Sequence, residues 1–195
     1  MLKKIFILIT LFFISNSGIL YASETDLQSI EEKIEKEQTI QSQINDIGSK
    51  LLNANKIDKR IVFVYDENAK ESFLKIDPSV TSRQVVVYGS AYKFVQNDDE
   101  LAGFLARGIL AALKSYDGYF NGYLSALQIK AAPKKFEIVA DKRAVDYMVN
   151  AGYDPIGLIT FIQKSCPQKR FDKISNKNLA SKRLAIIYEY IYTCL

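Results

Sequence analysis

The sequence has no histidine and no tryptophan, and it has only two cysteines among its 195 residues. The absence of histidine excludes Ser-His-Asp triads, imidazole metal ligands and histidine acid–base catalysis. Two cysteines cannot form a four-cysteine zinc site. Any catalysis would therefore depend on carboxylates, hydroxyls, amines or thiols, and no motif for a Ser–Lys dyad or for paired glycosidase carboxylates stands out.

The composition is typical of a folded globular protein, with 48% hydrophobic and 25% charged residues. The formal net charge is +4, from 26 basic and 22 acidic residues. Residues 1–22 contain Lys3 and Lys4 and no acid, so the rest of the chain carries 24 basic against 22 acidic residues, a net +2. This balance gives no indication of nucleic-acid binding.

The first 22 residues have the layout of a secretory signal peptide. Lys3 and Lys4 precede an apolar run from Ile5 to Ile14, and a polar stretch then leads to a small residue, Ala22. An uncleaved membrane anchor is the alternative, but a spanning helix needs about 20 apolar residues and this run is about half as long. The sequence therefore predicts export to the periplasm or the medium, with membrane contact only through this segment if it is not cleaved.

Export changes the interpretation of the two cysteines, Cys166 and Cys194. In an oxidising compartment they are a candidate disulfide. The alternative is two buried thiols that do not meet, and their sequence spacing does not decide between the two. A redox-active pair is disfavoured because the chain has no C-x-x-C motif.

The pattern after the signal predicts a long helix from Glu24 to about Asn53 with two apolar stripes. The first stripe is thin and lies among charges, so residues 23–39 are interpreted as a charged N-terminal helix, either solvated or facing a partner. The second stripe opens the main domain, residues 40–195. The first stripe is Leu27, Ile30 and Ile34, and the second is Ile40, Ile44, Ile47 and Leu51.

The main domain is predicted to be α+β. Two segments rich in β-branched residues, RIVFVYDEN and QVVVYGS, indicate strands. Asn97 is predicted to cap the next helix, with Glu100 placed to reach back to it. A further helix from about Lys135 is predicted to end at Ala151-Gly152, and two more helices follow it.

Five segments, in this order and spacing, resemble the HtpX-like zinc metallopeptidases, the gluzincin group that includes the CAAX prenyl proteases. The resemblance covers roughly residues 40–195 and implies a zincin-like fold. The segments are INDIGSKLL (44–52), VFVYDENA (62–69), VVVYGSAYKFV (85–95), NDDELAGFLARGI (97–109) and EIVADKRAVDYMVNAGYDP (137–155).

The residues that make such enzymes active are missing from this chain. Family members carry H-E-x-x-H on the central helix, with two zinc-binding histidines and a glutamate that activates water. Those three positions are here Arg107, Ala111 and Gly108, while Glu137 and Asp141 match the Glu-x-x-x-Asp pair of the next helix. The arginine side chain has no lone pair to give to a metal ion, and alanine has no polar side-chain group. Of the three protein ligands, only the carboxylate of Glu137 remains. The resemblance therefore predicts no cofactor, since the zinc ligands are lost.

The lost metal would have neutralised the buried carboxylate of Glu137. An uncompensated buried acid is costly. We therefore expect Arg107 to form a salt bridge with Glu137, shared with Asp141, as an interhelical contact in place of the metal. Two alternatives stay open: Arg107 turns to solvent and Glu137 is hydrated, or Asp141 bonds to backbone or to Arg143.

The leading functional prediction is an exported, catalytically inactive metallopeptidase-like protein that binds a peptide or protein, or acts as a scaffold. The strand Gln84–Tyr88 is the candidate edge for an extended peptide. The sequence does not identify the partner. One rival is an active metalloendopeptidase with an atypical metal site or a nucleophile elsewhere. Another is a structural protein that self-associates through the charged helix Glu24–Glu37.

Overall fold

The computed structural model describes residues 24–67, 83–113, 133–165 and 179–194. The predicted signal peptide and Cys166 lie outside these residues. The described chain is mostly helical with a two-stranded parallel sheet, which confirms the α+β class. The chain divides into two compact units, Met1–Gln38 and Thr39–Leu195. Among the described helices, none is both long enough and apolar enough to cross a membrane.

In the described ranges one long helix precedes the two strands, and every later element is a helix. In chain order the elements are α1 (Glu24–Ala54), β1 (Val62–Asp66), β2 (Gln84–Tyr88), α2 (Gly89–Tyr92), α3 (Asp98–Leu113), α4 (Pro133–Asn150), α5 (Ile156–Ser165) and α6 (Leu179–Cys194).

Helix α1 is continuous over the range that the apolar pattern predicts. Its two stripes differ in burial. The second stripe is in the hydrophobic core, with Ile44 and Leu51 fully buried. The first stripe is exposed: Ile30 and Ile34 each present about half of their surface, at 51% and 49%. The sequence therefore predicted the extent of the helix. The first stripe of α1 does not enter a core in the described structure.

The sheet pairs β1 and β2 in parallel, with Val62 opposite Gln84 and Asp66 opposite Tyr88. The other edge of β1 is covered by a side chain of α1. The Gln41 amide donates to the Phe63 carbonyl at 3.0 Å and accepts from the Tyr65 N–H at 2.7 Å. Both groups lie on the edge that an added strand would use, so Gln41 pairs two of the backbone groups that β1 presents there.

The second strand has the extent that the sequence predicts. QVVVYGS indicates a strand closed by Gly89, and β2 ends at Tyr88, where Gly89 begins the short helix α2. Gly89 lies against the end of β1, where an added Cβ would be 3.0 Å from the Glu67 carbonyl oxygen. A side chain at this position would meet the backbone that follows β1, so glycine permits the close approach of the two chain segments.

Helix α3 begins with the predicted cap. The Asn97 Oδ1 accepts the Glu100 N–H at 2.9 Å. Glu100 does reach back, but to the N–H of Gln96 at 2.8 Å, one residue before the cap. Its carboxylate also accepts the Thr160 hydroxyl at 2.8 Å and lies 2.6 Å from the Lys164 ammonium. A predicted capping residue thus also links α3 to α5.

Helix α4 begins at Pro133, two residues before the predicted start, and ends at Asn150, directly before the predicted stop at Ala151-Gly152. Proline is favoured in the first turn of a helix, because a backbone N–H there has no acceptor within the helix and its absence costs no hydrogen bond. At the other end Gly152 has φ +74°. The N–H of Tyr153 bonds to the Met148 carbonyl at 2.9 Å, and the N–H of Gly152 bonds to the Val149 carbonyl at 2.9 Å. This is a Schellman motif.

Helix α3 lies at the centre of the described core and packs against α4, α5 and β2. Its contact with α5 is made through glycines on both helices. An added Cβ on Gly103 would lie 2.9 Å from the Leu158 Cα, and one on Gly157 would lie 2.5 Å from the Asp99 carbonyl carbon. The Phe104 and Phe161 rings lie 5.5 Å apart beside this crossing. The glycines therefore set how closely the two helices approach.

We expect Gly157→Ala to lower the free energy of unfolding by about 1–3 kcal/mol, because the new methyl group would meet backbone atoms that cannot move aside. Gly152→Ala is the control. It meets no atom within 4 Å and costs only its left-handed backbone conformation, roughly 1–2 kcal/mol. Urea unfolding measures both. A Gly157→Ala protein as stable as the parent would contradict the close approach of α3 and α5 at this glycine.

The Glu100 contacts predict a pH dependence. Burial raises the pKa of Glu100, but the Lys164, Gln96 and Thr160 hydrogen bonds outweigh it, so the pKa lies below its ordinary 4.5. Because the folded pKa is depressed, its stabilisation is complete above about pH 4.5 and is lost as the pH falls below it. The difference in unfolding free energy between the parent and Glu100→Gln should therefore shrink below that pH. Glu32→Gln, on exposed α1, is the control, and a difference independent of pH would refute the assignment.

Candidate functional site

Four buried charged side chains from three helices meet at the position that the sequence singled out. Arg107 comes from α3, Glu137 and Asp141 from α4, and Arg183 from α6. The exposed fractions of these residues are 5%, 7%, 0% and 5% in that order. We call these four residues the ion cluster.

Arg107 binds both acidic residues of α4. Its Nη2 lies 2.5 Å from the Glu137 Oε2, and its Nη1 lies 2.5 Å from the Asp141 Oδ1. Nη1 also donates to the backbone carbonyl of Glu137 at 3.1 Å. The structure thus brings together the three residues of the predicted salt bridge. The alternative in which Arg107 turns to solvent is wrong.

Arg183 binds Asp141 from the other side. Its Nε donates to Oδ2 at 2.6 Å and its Nη2 donates to Oδ1 at 2.7 Å, a bidentate pair. Its Nη1 lies 3.6 Å from the Glu137 Oε2. Asp141 therefore accepts hydrogen bonds from two guanidinium groups while it is fully buried.

The cluster contains two positive and two negative groups, so its formal charge is zero. Each carboxylate faces at least one guanidinium, and each guanidinium faces both carboxylates. This arrangement compensates the cost of removing the charges from water. Removal of any one member would leave an unbalanced charge inside the protein.

The residues present do not fit a zinc ion. Zinc requires lone-pair donors, and the lone pairs of Glu137 and Asp141 that face α3 accept hydrogen bonds from Arg107. Ala111, one turn further along α3, has only a methyl group. Within the described ranges, no group of three or more His, Cys, Asp or Glu residues is arranged to hold a metal ion. The site is built for an internal ion cluster.

Gly108, at the general-base position of the resembled motif, is packed against the sheet. An added Cβ would lie 2.5 Å from the Val85 Cγ1. Valine is stiff at χ1, so its methyl group cannot easily rotate away. The space beside Gly108 is therefore filled by β2, and a glutamate there would have to displace the strand.

Arg183 was not among the predicted site residues. A local signal was present: Arg183 lies four residues before Ile187, which is fully buried, so both lie on the inward face of α6. An arginine on a buried helical face needs an acidic partner. What the sequence could not show was which acid it would meet, because that depends on how α6 packs against α4.

The proposed Asp141–Arg143 contact is wrong. Arg143 instead lies 3.4 Å from the Asp146 carboxylate, and its side chain is 38% exposed. Asp146 also accepts the Tyr190 hydroxyl at 2.7 Å, which with burial raises the pKa of Tyr190 to about 12. Asp141 faces the protein interior, whereas Arg143 is two residues further along and lies on another face of α4.

Cys194 is exposed, and it forms no disulfide with another cysteine of the described ranges. The candidate disulfide partner, Cys166, lies outside the described residues, so the pairing itself stays a prediction. The Cys194 Sγ lies 3.4 Å from the hydroxyl of the adjacent Thr193.

Comparison of the chain with known protein families, curated proteins and solved structures finds no match.

We expect Arg107→Ala to lower the free energy of unfolding by about 3–5 kcal/mol, because it leaves a buried carboxylate without its partner. Arg143→Ala removes an arginine from the same region, but its exposed pair with Asp146 is worth at most about 1 kcal/mol. Chemical unfolding monitored by circular dichroism measures both variants. If the two arginine variants lost the same small amount of stability, the ion cluster would not be an important contact.

Proposed function

We propose that the chain is a catalytically inactive relative of the HtpX-like metallopeptidases with a zincin-like fold, exported and kept as a peptide- or protein-binding module. The observation that carries this proposal is the contact of the Arg107 guanidinium with Glu137 and Asp141. A positive, acceptor-free group fills the place where the resembled enzymes would hold a metal ion.

Two further observations support the loss of catalysis. Gly108 offers no group that could take a proton from water, and Val85 occupies the space beside it. The whole chain contains no histidine that could replace the missing ligands. Loss of one ligand would leave a weakened site, whereas here both histidine ligands, the base and the space for the base are absent.

The binding role is inferred from what the fold retains. Resembled enzymes pair an extended peptide with the edge of a strand near the metal helix, through backbone hydrogen bonds. In this chain Gln41 covers the outer edge of β1. This leaves β2, which packs on α3, as the proposed strand for such a partner. This binding role needs no catalytic group at Gly108, since strand pairing consists of backbone hydrogen bonds alone.

Metal content tests the loss of catalysis directly. Protein purified without chelator should contain far less than one zinc per chain and should not degrade unfolded protein substrates. Near-stoichiometric zinc, lost on chelation together with proteolysis, would overturn the proposal in favour of an active metalloendopeptidase with an atypical site.

A two-histidine variant tests the resemblance itself. Arg107→His with Ala111→His restores two imidazoles one helical turn apart. It also removes the closer of the two guanidinium groups at Glu137, since Arg183 lies 3.6 Å away, so Glu137 can serve as a third ligand and about one zinc per chain should bind. Gly108 is left unchanged, which avoids Val85. The single variant Arg107→His is the matched control and should bind zinc much more weakly. Failure of a folded double variant to bind zinc would show that α3 and α4 do not have the arrangement that the resemblance implies.

A further inference from the structure

The first stripe of α1 is an exposed apolar surface on a helix. Leu27, Ile30 and Ile34 are 39%, 51% and 49% exposed. Their spacing of three and then four residues puts them on one face. Three large aliphatic side chains in a row on an otherwise charged helix are a typical feature of a docking helix.

The charge around this stripe is strongly negative. Residues 24–38, ETDLQSIEEKIEKEQ, contain six acidic and two basic residues, a net charge of −4. Glu31 lies four residues after Leu27 and three before Ile34, and Glu35 follows Glu31 by one turn. Both are exposed along the side of the stripe. Any helix that covers the aliphatic side chains must therefore place its own flanking residues near carboxylates.

This charge favours a basic partner over a second copy of the chain. Pairing two copies of this helix would bring net charges of −4 and −4 together, and like charges across an interface reduce affinity. A helix with an aliphatic stripe and lysine or arginine beside it would match both the apolar and the charged part of the surface. Charge selects the partner, while apolar burial supplies most of the affinity.

We propose that the N-terminal half of α1 docks a basic amphipathic helix of another protein. The stripe of Leu27, Ile30 and Ile34 packs against the partner's aliphatic residues, and Glu31 and Glu35 pair with its flanking cations. The proposal is independent of the ion cluster and of the loss of catalysis, so either can fail without the other.

Two synthetic helical peptides of about three heptads test the proposal. Both have leucine at the a and d positions. One has lysine at e and g, and the other has glutamate there. Fluorescence anisotropy with the full chain should show that the lysine peptide binds at least about tenfold more tightly at low salt, with a smaller preference at high salt. Equal binding of the two peptides would overturn the proposal.

Variants on α1 separate this surface from general attraction to a cationic peptide. Ile30→Gln should weaken binding of the lysine peptide by about tenfold, since the central apolar contact is lost. Glu31→Lys with Glu35→Lys should reverse the preference in favour of the glutamate peptide. Glu32→Lys is the matched control, because Glu32 lies two residues from both Ile30 and Ile34 and so points away from the stripe.

Two outcomes on these variants would overturn the proposal. One is binding of the lysine peptide that Ile30→Gln leaves unchanged. The other is concentration-dependent self-association in sedimentation that Ile30→Gln abolishes, which would make a second copy the occupant of the stripe.

Discussion

Arg107 and Arg183 hold two buried carboxylates between three helices, and the rest of the site depends on this balance of charge. Asp141 is fully buried and lies between both guanidinium groups, while Glu137 completes the set. None of these groups would be stable alone in the interior, because the cost of removing a single charge from water is several kcal/mol. Together they are neutral and extensively hydrogen-bonded. The helices α3, α4 and α6 must therefore assemble with the four side chains in place.

The packing beside the ion cluster also requires α3 to fit closely against its neighbours. Gly108 allows β2 to lie directly on α3, and Gly103 and Gly157 allow α3 and α5 to approach closely. At each position a small residue permits a contact that a side chain would prevent. The helix that would carry a metal motif in the resembled family is here a core helix, surrounded by the sheet and by its helical neighbours. Its buried residues contribute to the stability of the fold.

The sequence was informative wherever the physics is local. Periodicity predicted the long helices, and Asn97 and Gly152 marked helix ends because capping involves residues a few positions apart. Prediction was poorer where the cause is a contact between distant segments. The role of Arg183 depends on the packing of α6 against α4, and the contact of Gln41 with β1 depends on how α1 lies beside the sheet. The ion pair of Arg107 with Glu137 was an exception, because the resemblance placed two charged residues on facing helices.

The most direct test of the central claim is a double-mutant cycle between Arg107 and Glu137, with each replaced by methionine singly and together. If the two side chains interact in the interior, the single variants should each be strongly destabilised. The double variant should then recover much of that loss, because methionines of similar size leave no unpaired charge. The account predicts a coupling free energy of about 2 kcal/mol or more. A coupling below about 0.5 kcal/mol, with additive losses in the double variant, would contradict it.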